Sequence, residues 1–131
     1  YSSSPEENLY QMQFDYLKNR ALSGDSFVIV GRCSETILKE FDSVVTIFVL
    51  GDLDKKVERI MRLYELSQNQ AVKKIREKDW KRRRYHNSFC DGKWGASRNY
   101  DISINSSKLG VDETVEMLID YIDRRQQIKM E

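Results

Sequence analysis

Residue types that brace or punctuate a chain are scarce here: the 131 residues include two cysteines, Cys33 and Cys90, one proline, six glycines and a single histidine, His86. Two cysteines rule out a multi-disulfide scaffold and fit the free thiols of a reducing cytosol, although a single disulfide is also compatible. No apolar run comes near the roughly 20 residues that cross a bilayer. Tyr1-Ser2-Ser3-Ser4-Pro5 has neither the basic nor the hydrophobic region of a secretory signal. A membrane span and a signal are thereby excluded from these residues, and a cytoplasmic setting is expected. Repeats, low-complexity tracts and linkers are missing too. So are Gly-x-Gly-x-x-Gly and Gly-x-x-x-x-Gly-Lys-Ser/Thr, the loops that cradle phosphates in backbone amides. The first residue is tyrosine rather than methionine, which leads to the expectation of a fragment, a processed chain or an incomplete sequence.

What is present suffices for one domain of ordinary size: 40% hydrophobic and 11% aromatic residues to build a core, and 33% charged residues to cover it. Ser4-Pro5-Glu6-Glu7 reads as a capped helix start, with Tyr10, Phe14, Leu17 and Ala21 on one face as far as about Leu22. Phe27-Val28-Ile29-Val30 reads as a short strand buried on both faces. A short helical stretch at 35–41 leads to a second, β-branched strand at 44–50. Asp52 can cap a helix whose buried face is Leu53, Val57, Ile60, Met61 and Tyr64. Ser67-Gln68-Asn69-Gln70 is a capping box opening a helix to about His86 or Phe89. A loop at 91–99, a third strand at 102–104 and a loop at 105–110 precede a last helix buried through Val111, Val115, Leu118, Ile119 and Ile122. Strands alternating with helices predict an α/β fold with a parallel sheet.

In open parallel sheets ligands bind beyond the carboxyl ends of the strands. Gly31-Arg32-Cys33 follows the first strand, and an arginine fork there suits a carboxylate, a phosphate or a pyrimidine edge. A surface ion pair for Arg32 and a turn role for Gly31 are an equally good reading. The helix from Ser67 gives a sharper signal, because its inward row passes from Val72 and Ile75 to Asp79, Arg82 or Arg83, and His86. The overall charge is only +1, from 22 basic and 21 acidic residues, yet residues 73–84 hold eight basic residues against Glu77 and Asp79. Such a row is expected where a helix overhangs an anion-filled cleft; the blander alternative is a solvated face. No metal site is assigned: His86 and Cys90 are suitably spaced, with Cys33 or Asp91 to complete a set, but no Cys-x-x-Cys unit supports them. A Cys/His nucleophile lacks support as well, since nothing in the sequence brings Cys33 or Cys90 beside His86. Trp80 and Trp94 could stack on bases, though core packing is the commoner fate of such residues.

Three stretches carry a resemblance. They are Phe27-Val28-Ile29-Val30-Gly31-Arg32; the strand at 44–50 with Asp52-Leu53-Asp54-Lys55-Lys56-Val57-Glu58-Arg59; and Lys93-Trp94-Gly95 with the segment from Asn99 to Gly110, which includes Asn105-Ser106-Ser107. Together they resemble the cytidylate-kinase-like family of P-loop phosphotransferases over residues 17–122. The resemblance implies a three-layer P-loop NTPase-type α/β fold, a parallel sheet flanked by helices with a helical lid. Core elements would then lie at 1–66 and 100–131, and the lid at about 67–99. It further implies ATP as donor, Mg²⁺ bridging the phosphates, and a nucleoside monophosphate such as CMP or dCMP as acceptor. Neither a membrane nor a nucleic acid is an implied partner, and the oligomeric state stays open.

Matched by position, Gly31, Arg32 and Cys33 face the acceptor, and Arg59 and Arg62 lie on the helix leading to the lid. Arg82 and Arg83 close over the phosphates with Asp79 orienting them, and Asn105 and Ser106 pass close to the donor base. The family's aspartate after Gly-Arg is Cys33 here, which opens the identity of the acceptor. The family's phosphate loop and first two strands fall upstream of Tyr1, and its first strand lies between those at 27–30 and 44–50. The chain is therefore expected to be the C-terminal part of a protein of about 200 residues. By itself it should be inactive for want of the phosphate loop and its lysine. The alternative reading is a non-catalytic nucleotide- or RNA-binding regulatory module that uses the same basic helix.

Overall fold

The computed structural model of the chain describes residues 4–31, 33–90 and 92–130. Helix α1, Pro5–Leu22, begins where Ser4 Oγ accepts the Glu7 amide at 3.1 Å and Pro5 takes the first helical position. Tyr10, Phe14, Leu17 and Ala21 share one face, as their spacing predicts, and pack with Ile37 and Leu38. Ile37 belongs to α2, Ser34–Ile37, a single helical turn that is shorter than the stretch read from sequence. At 1% exposure it is the most buried large side chain of this first core.

Strand β1, Ile47–Leu50, pairs in parallel with β2, Ile102–Asn105, in the register Ile47 to Ile102 and Leu50 to Asn105. Just before the ladder, the Asp101 amide donates to Thr46 O at 2.9 Å and the Thr46 amide donates to Asp101 Oδ2 at 2.9 Å. Parallel neighbours need a crossover. It is supplied by α3, Leu53–Tyr64, and α4, Gln68–Phe89. The Ser67 and Gln70 capping box forms as predicted. A second core holds the two helices together through Val57, Ala71 and Ile75, with Ile60, Met61, Leu66 and Val72 around them. A 3₁₀ turn, Ser97–Asn99, precedes β2, and α5, Ser106–Leu109, and α6, Val111–Met130, complete the chain.

Several expectations are corrected. Phe27 to Val30 is extended but forms no strand: Phe27 and Ile29 pack on the first core, while Val28 and Val30 are each 89% exposed. The segment buries one face instead of two because nothing among the described residues packs on the other. The strand at 44–50 shortens to β1, and the loop at 105–110 contains the turn α5. On α6 Leu118 and Ile122 are half-buried, but Val111, Val115 and Ile119 are exposed. Asp52 stands at the N-cap of α3 without a side-chain capping bond, because its carboxylate is taken by Asn105 at the end of β2 and by Lys108 beyond it. The cysteines are not free. Packing of α4 on α2 brings two residues 57 apart in sequence to a Cα separation of 5.7 Å, within reach of a disulfide, and Cys33 is bonded to Cys90.

The observed architecture is thus mixed α/β with a two-stranded parallel sheet; among the described residues β1 has β2 as its sole strand neighbour. No helix among them is long and apolar enough to cross a membrane.

Candidate functional site

The carboxyl ends of β1 and β2 are tied by a polar cluster. Asn105 Nδ2 donates to Asp52 Oδ1 at 2.8 Å, and Asn105 Oδ1 accepts the Ser107 amide at 2.8 Å, which caps α5. The Asp52 amide donates to Ser107 Oγ at 2.8 Å, Ser106 Oγ donates to Leu50 O at 3.4 Å, and Lys108 Nζ lies 3.7 Å from Asp52 Oδ2. Asn105 and Ser106 therefore occupy the strand ends where their sequence position places them. Their polar groups face β1 partners, and Asp52, engaged on both oxygens, is not a free metal ligand.

One turn beyond Asp52, α3 turns Lys56 toward α4. Asp79 Oδ2 lies 3.4 Å from Lys56 Nζ, and Asp79 Oδ1 lies 3.8 Å from the exposed Arg82 guanidinium. Such pairs contribute little stability. Their consequence is positional: the basic row of α4 is held beside the strand ends. Arg83 sits 5.6 Å over the Trp94 ring, which meets Phe48 of β1 edge-on at 5.5 Å. Trp94 also donates its amide to Asn87 Oδ1 at 3.0 Å, so the loop after α4 folds back over that helix. Arg84 lies 5.3 Å over Trp80, which is 56% exposed. Arg59 and Arg62 are exposed on α3.

Gly95 makes the Trp94 turn possible. Its φ is +80°, and a Cβ there would stand 3.3 Å from Phe48 Cζ. Gly95→Ala should therefore cost about 1–3 kcal/mol through backbone strain and crowding. An unchanged urea midpoint for this variant would show that Trp94 and Phe48 are not seated as described. Next to the same turn, Tyr100 packs against Phe48, and burial pushes its phenol above its ordinary pKa, helped by the Glu35 charge and opposed by a hydrogen bond with the Gly95 backbone.

At the other end of α4 the structure assembles a group that the sequence reading did not. Arg32 lies outside the described residues. Gly31 has φ +73°, and Cys33, 2% exposed and in the left-handed region, is bonded to Cys90. Cys33 is therefore committed to α4 rather than open toward an acceptor. The Glu35 carboxylate contacts His86 Nε2, and His86 is 5% exposed with Nδ1 buried and without a hydrogen-bond partner among the described groups. A buried nitrogen left unpaired costs about 1–3 kcal/mol. Tyr85 Oη, donating to Gln13 Oε1 at 3.1 Å, and Phe89, 4.8 Å from the Tyr10 ring, fasten the same end of α4 to α1. His86 and Cys90 one turn apart were the legible part of this group; Glu35, two residues past Cys33, gave no signal of its own.

A parallel β-α-β crossover whose basic helix lies beside the strand ends makes this a mixed α/β protein. The particular lineage follows from comparison: the model of the cytidylate kinase-like family matches residues 1–108, and the chain belongs to that family. A crystal structure of an uncharacterized protein from Eubacterium ventriosum ATCC 27560 is similar at 38% identity, covering 91% of this chain and 74% of that one, with a TM-score of 0.87. No curated protein matches. The family's name points to a nucleotide kinase-like phosphotransferase.

Proposed function

We propose that this chain supplies the acceptor and lid side of an ATP-dependent phosphotransferase acting on a nucleoside monophosphate of the CMP or dCMP kind, in a cytosolic setting. The observation that carries this reading is the Lys56–Asp79–Arg82 chain of contacts. It fixes the arginine row of α4 beside the carboxyl edge of the sheet, where a parallel α/β protein binds its ligands. Phosphoryl transfer needs positioned positive charge more than acid–base chemistry, and arginines supply it. The residues present fit an anionic acceptor. They do not fit the whole of ATP-Mg²⁺, because no phosphate-cradling loop occurs in the sequence and Asp52 is already engaged. On this reading the phosphate loop lies on strands that precede these residues and complete a three-layer sheet. Its place would be against the uncovered face of Val28 and Val30 and the exposed Val49 and Leu50 of β1.

The test is a coupled phosphoryl-transfer assay with ATP-Mg²⁺ and CMP, dCMP, UMP, AMP and GMP, run on the intact gene product and on this chain. Turnover on one acceptor by the intact protein and none by the chain is the expected result. Silence from both across the panel would move the weight to a non-catalytic binding module, for which exposed Trp80 under Arg84 offers a stacking surface. A steep loss of polyanion affinity with rising salt would then identify multi-phosphate binding.

A further inference from the structure

Four metal-binding side chains, of which the nucleotide reading uses only Cys33, converge where the end of α4 meets α2. Glu35, His86 and Cys90 bring a carboxylate oxygen, a ring nitrogen and a sulfur within 4.8 Å of one another, and Cys33 joins them through its bond to Cys90. His86 and Cys90 are four residues apart and so share one face at the helix end. Cys33 and Glu35 flank the start of α2.

The ring of His86 supplies the second, independent observation. A carboxylate accepts and does not donate, so Nε2 carries the proton that faces Glu35, and in the tautomer with that single proton Nδ1 keeps a lone pair. That nitrogen is buried and has no partner among the described groups. Carboxylate on one ring nitrogen and a vacant lone pair on the other is the arrangement of a metal-ligating histidine, whose tautomer and ring orientation the carboxylate fixes. Two sulfurs and an imidazole form a donor set that Zn²⁺ favours over the hard, oxygen-seeking cations.

We propose that in the dithiol state Cys33 Sγ, Cys90 Sγ and His86 Nδ1 hold a Zn²⁺-class ion, with Glu35 as the positioning residue behind His86, and that the disulfide is the oxidised, metal-free state of the same site. The chemistry balances with a dithiol as reductant. It supplies two electrons and two protons, the Sγ–Sγ bond breaks to two thiols, and the reductant's own sulfurs join in a disulfide. The incoming ion then displaces the two thiol protons to solvent and binds two thiolates. Either state joins Cys33, at the start of α2, to the end of the basic helix.

The experiment reduces the chain with dithiothreitol, removes the reductant anaerobically and titrates with Co²⁺, then with Zn²⁺. The expected result is one equivalent of Co²⁺ bound with a thiolate-to-cobalt charge-transfer band, bleached by Zn²⁺ and absent from the oxidised chain. Cys33→Ser, Cys90→Ser and His86→Ala should abolish the stoichiometric band. Glu35→Gln should keep it with affinity about 10- to 100-fold weaker. Reduced wild-type chain without the band overturns the proposal whether or not any variant folds. So does a band of unchanged intensity and affinity in a His86→Ala chain whose circular dichroism matches wild type.

Discussion

On the proposed reading, alanine at Arg82 or Arg83 should lower the kcat of phosphoryl transfer by about 10³-fold, the low end of what a charge-stabilising arginine contributes to that step. Acceptor affinity should stay within a few-fold. The split follows from where the charge is needed. Negative charge spreads over the equatorial oxygens of the transferring group as it passes between donor and acceptor, so a guanidinium aimed there acts on the transition state more than on the bound substrate. Arg82 is only lightly tethered: its side chain is 66% exposed, and its contact is Asp79 at 3.8 Å. It loses little by leaving that partner for a phosphate. Asp79 in turn is anchored by Lys56 at 3.4 Å, so Asp79→Asn should release both cations and lower kcat by less than either arginine change. Arg83 differs, because its guanidinium lies over Trp94 and its loss also uncovers that ring. A thermal melt of Arg83→Ala beside its kinetics separates the two effects. A rise in KM with kcat unchanged, for both arginines, would mean that they bind the acceptor and take no part in the transfer step.

The sequence announced the helices more completely than the sheet, for a physical reason. Helix signals are local: the Ser4 cap, the Ser67 and Gln70 box and the three- and four-residue spacing of Tyr10, Phe14, Leu17 and Ala21 all act within a few turns, and all of them form. A strand exists only if something pairs with it. The apolar run from Phe27 to Val30 has the composition of an interior strand, and with no strand paired to it among the described residues it forms none and leaves alternate side chains in solvent. Val111, Val115 and Ile119 of α6 stand in the same position: their periodicity promises a buried face, and the surface that would cover it is missing among the described residues. At the site, Asp79, Arg82 and Arg83 were legible from a row that changes from core to charge along one face. The cluster of Cys33, Glu35, His86 and Cys90 was not, because it needs the end of α4 to dock on α2, a long-range event with no local mark. The free-thiol expectation failed on the same docking.

Ile37→Ala should destabilise the chain by about 2–5 kcal/mol, the range for truncating a fully buried aliphatic side chain. Four residues cannot hold a helical turn by hydrogen bonds alone, so α2 exists because Ile37 and Leu38 are anchored against Leu17 and the aromatic residues of α1. The same turn carries Glu35 and follows directly on Cys33, so emptying the Ile37 site should also loosen the group around His86. Equilibrium urea unfolding reads the effect as a lower midpoint at constant slope. The control is Val28→Ala, nine residues earlier and 89% exposed, which should change the stability of this chain by no more than about 0.5 kcal/mol. If the two variants cost the same, Val28 is buried in solution and the assignment of faces is wrong. If strands precede these residues, as the proposed reading has it, the contrast should shrink from the other side. A strand laid against Phe27 to Val30 would bury Val28, and Val28→Ala would then carry a cost of the core kind while Ile37→Ala stayed as it was. One exposed valine thus reports, through stability alone, whether the sheet of this family is completed from upstream.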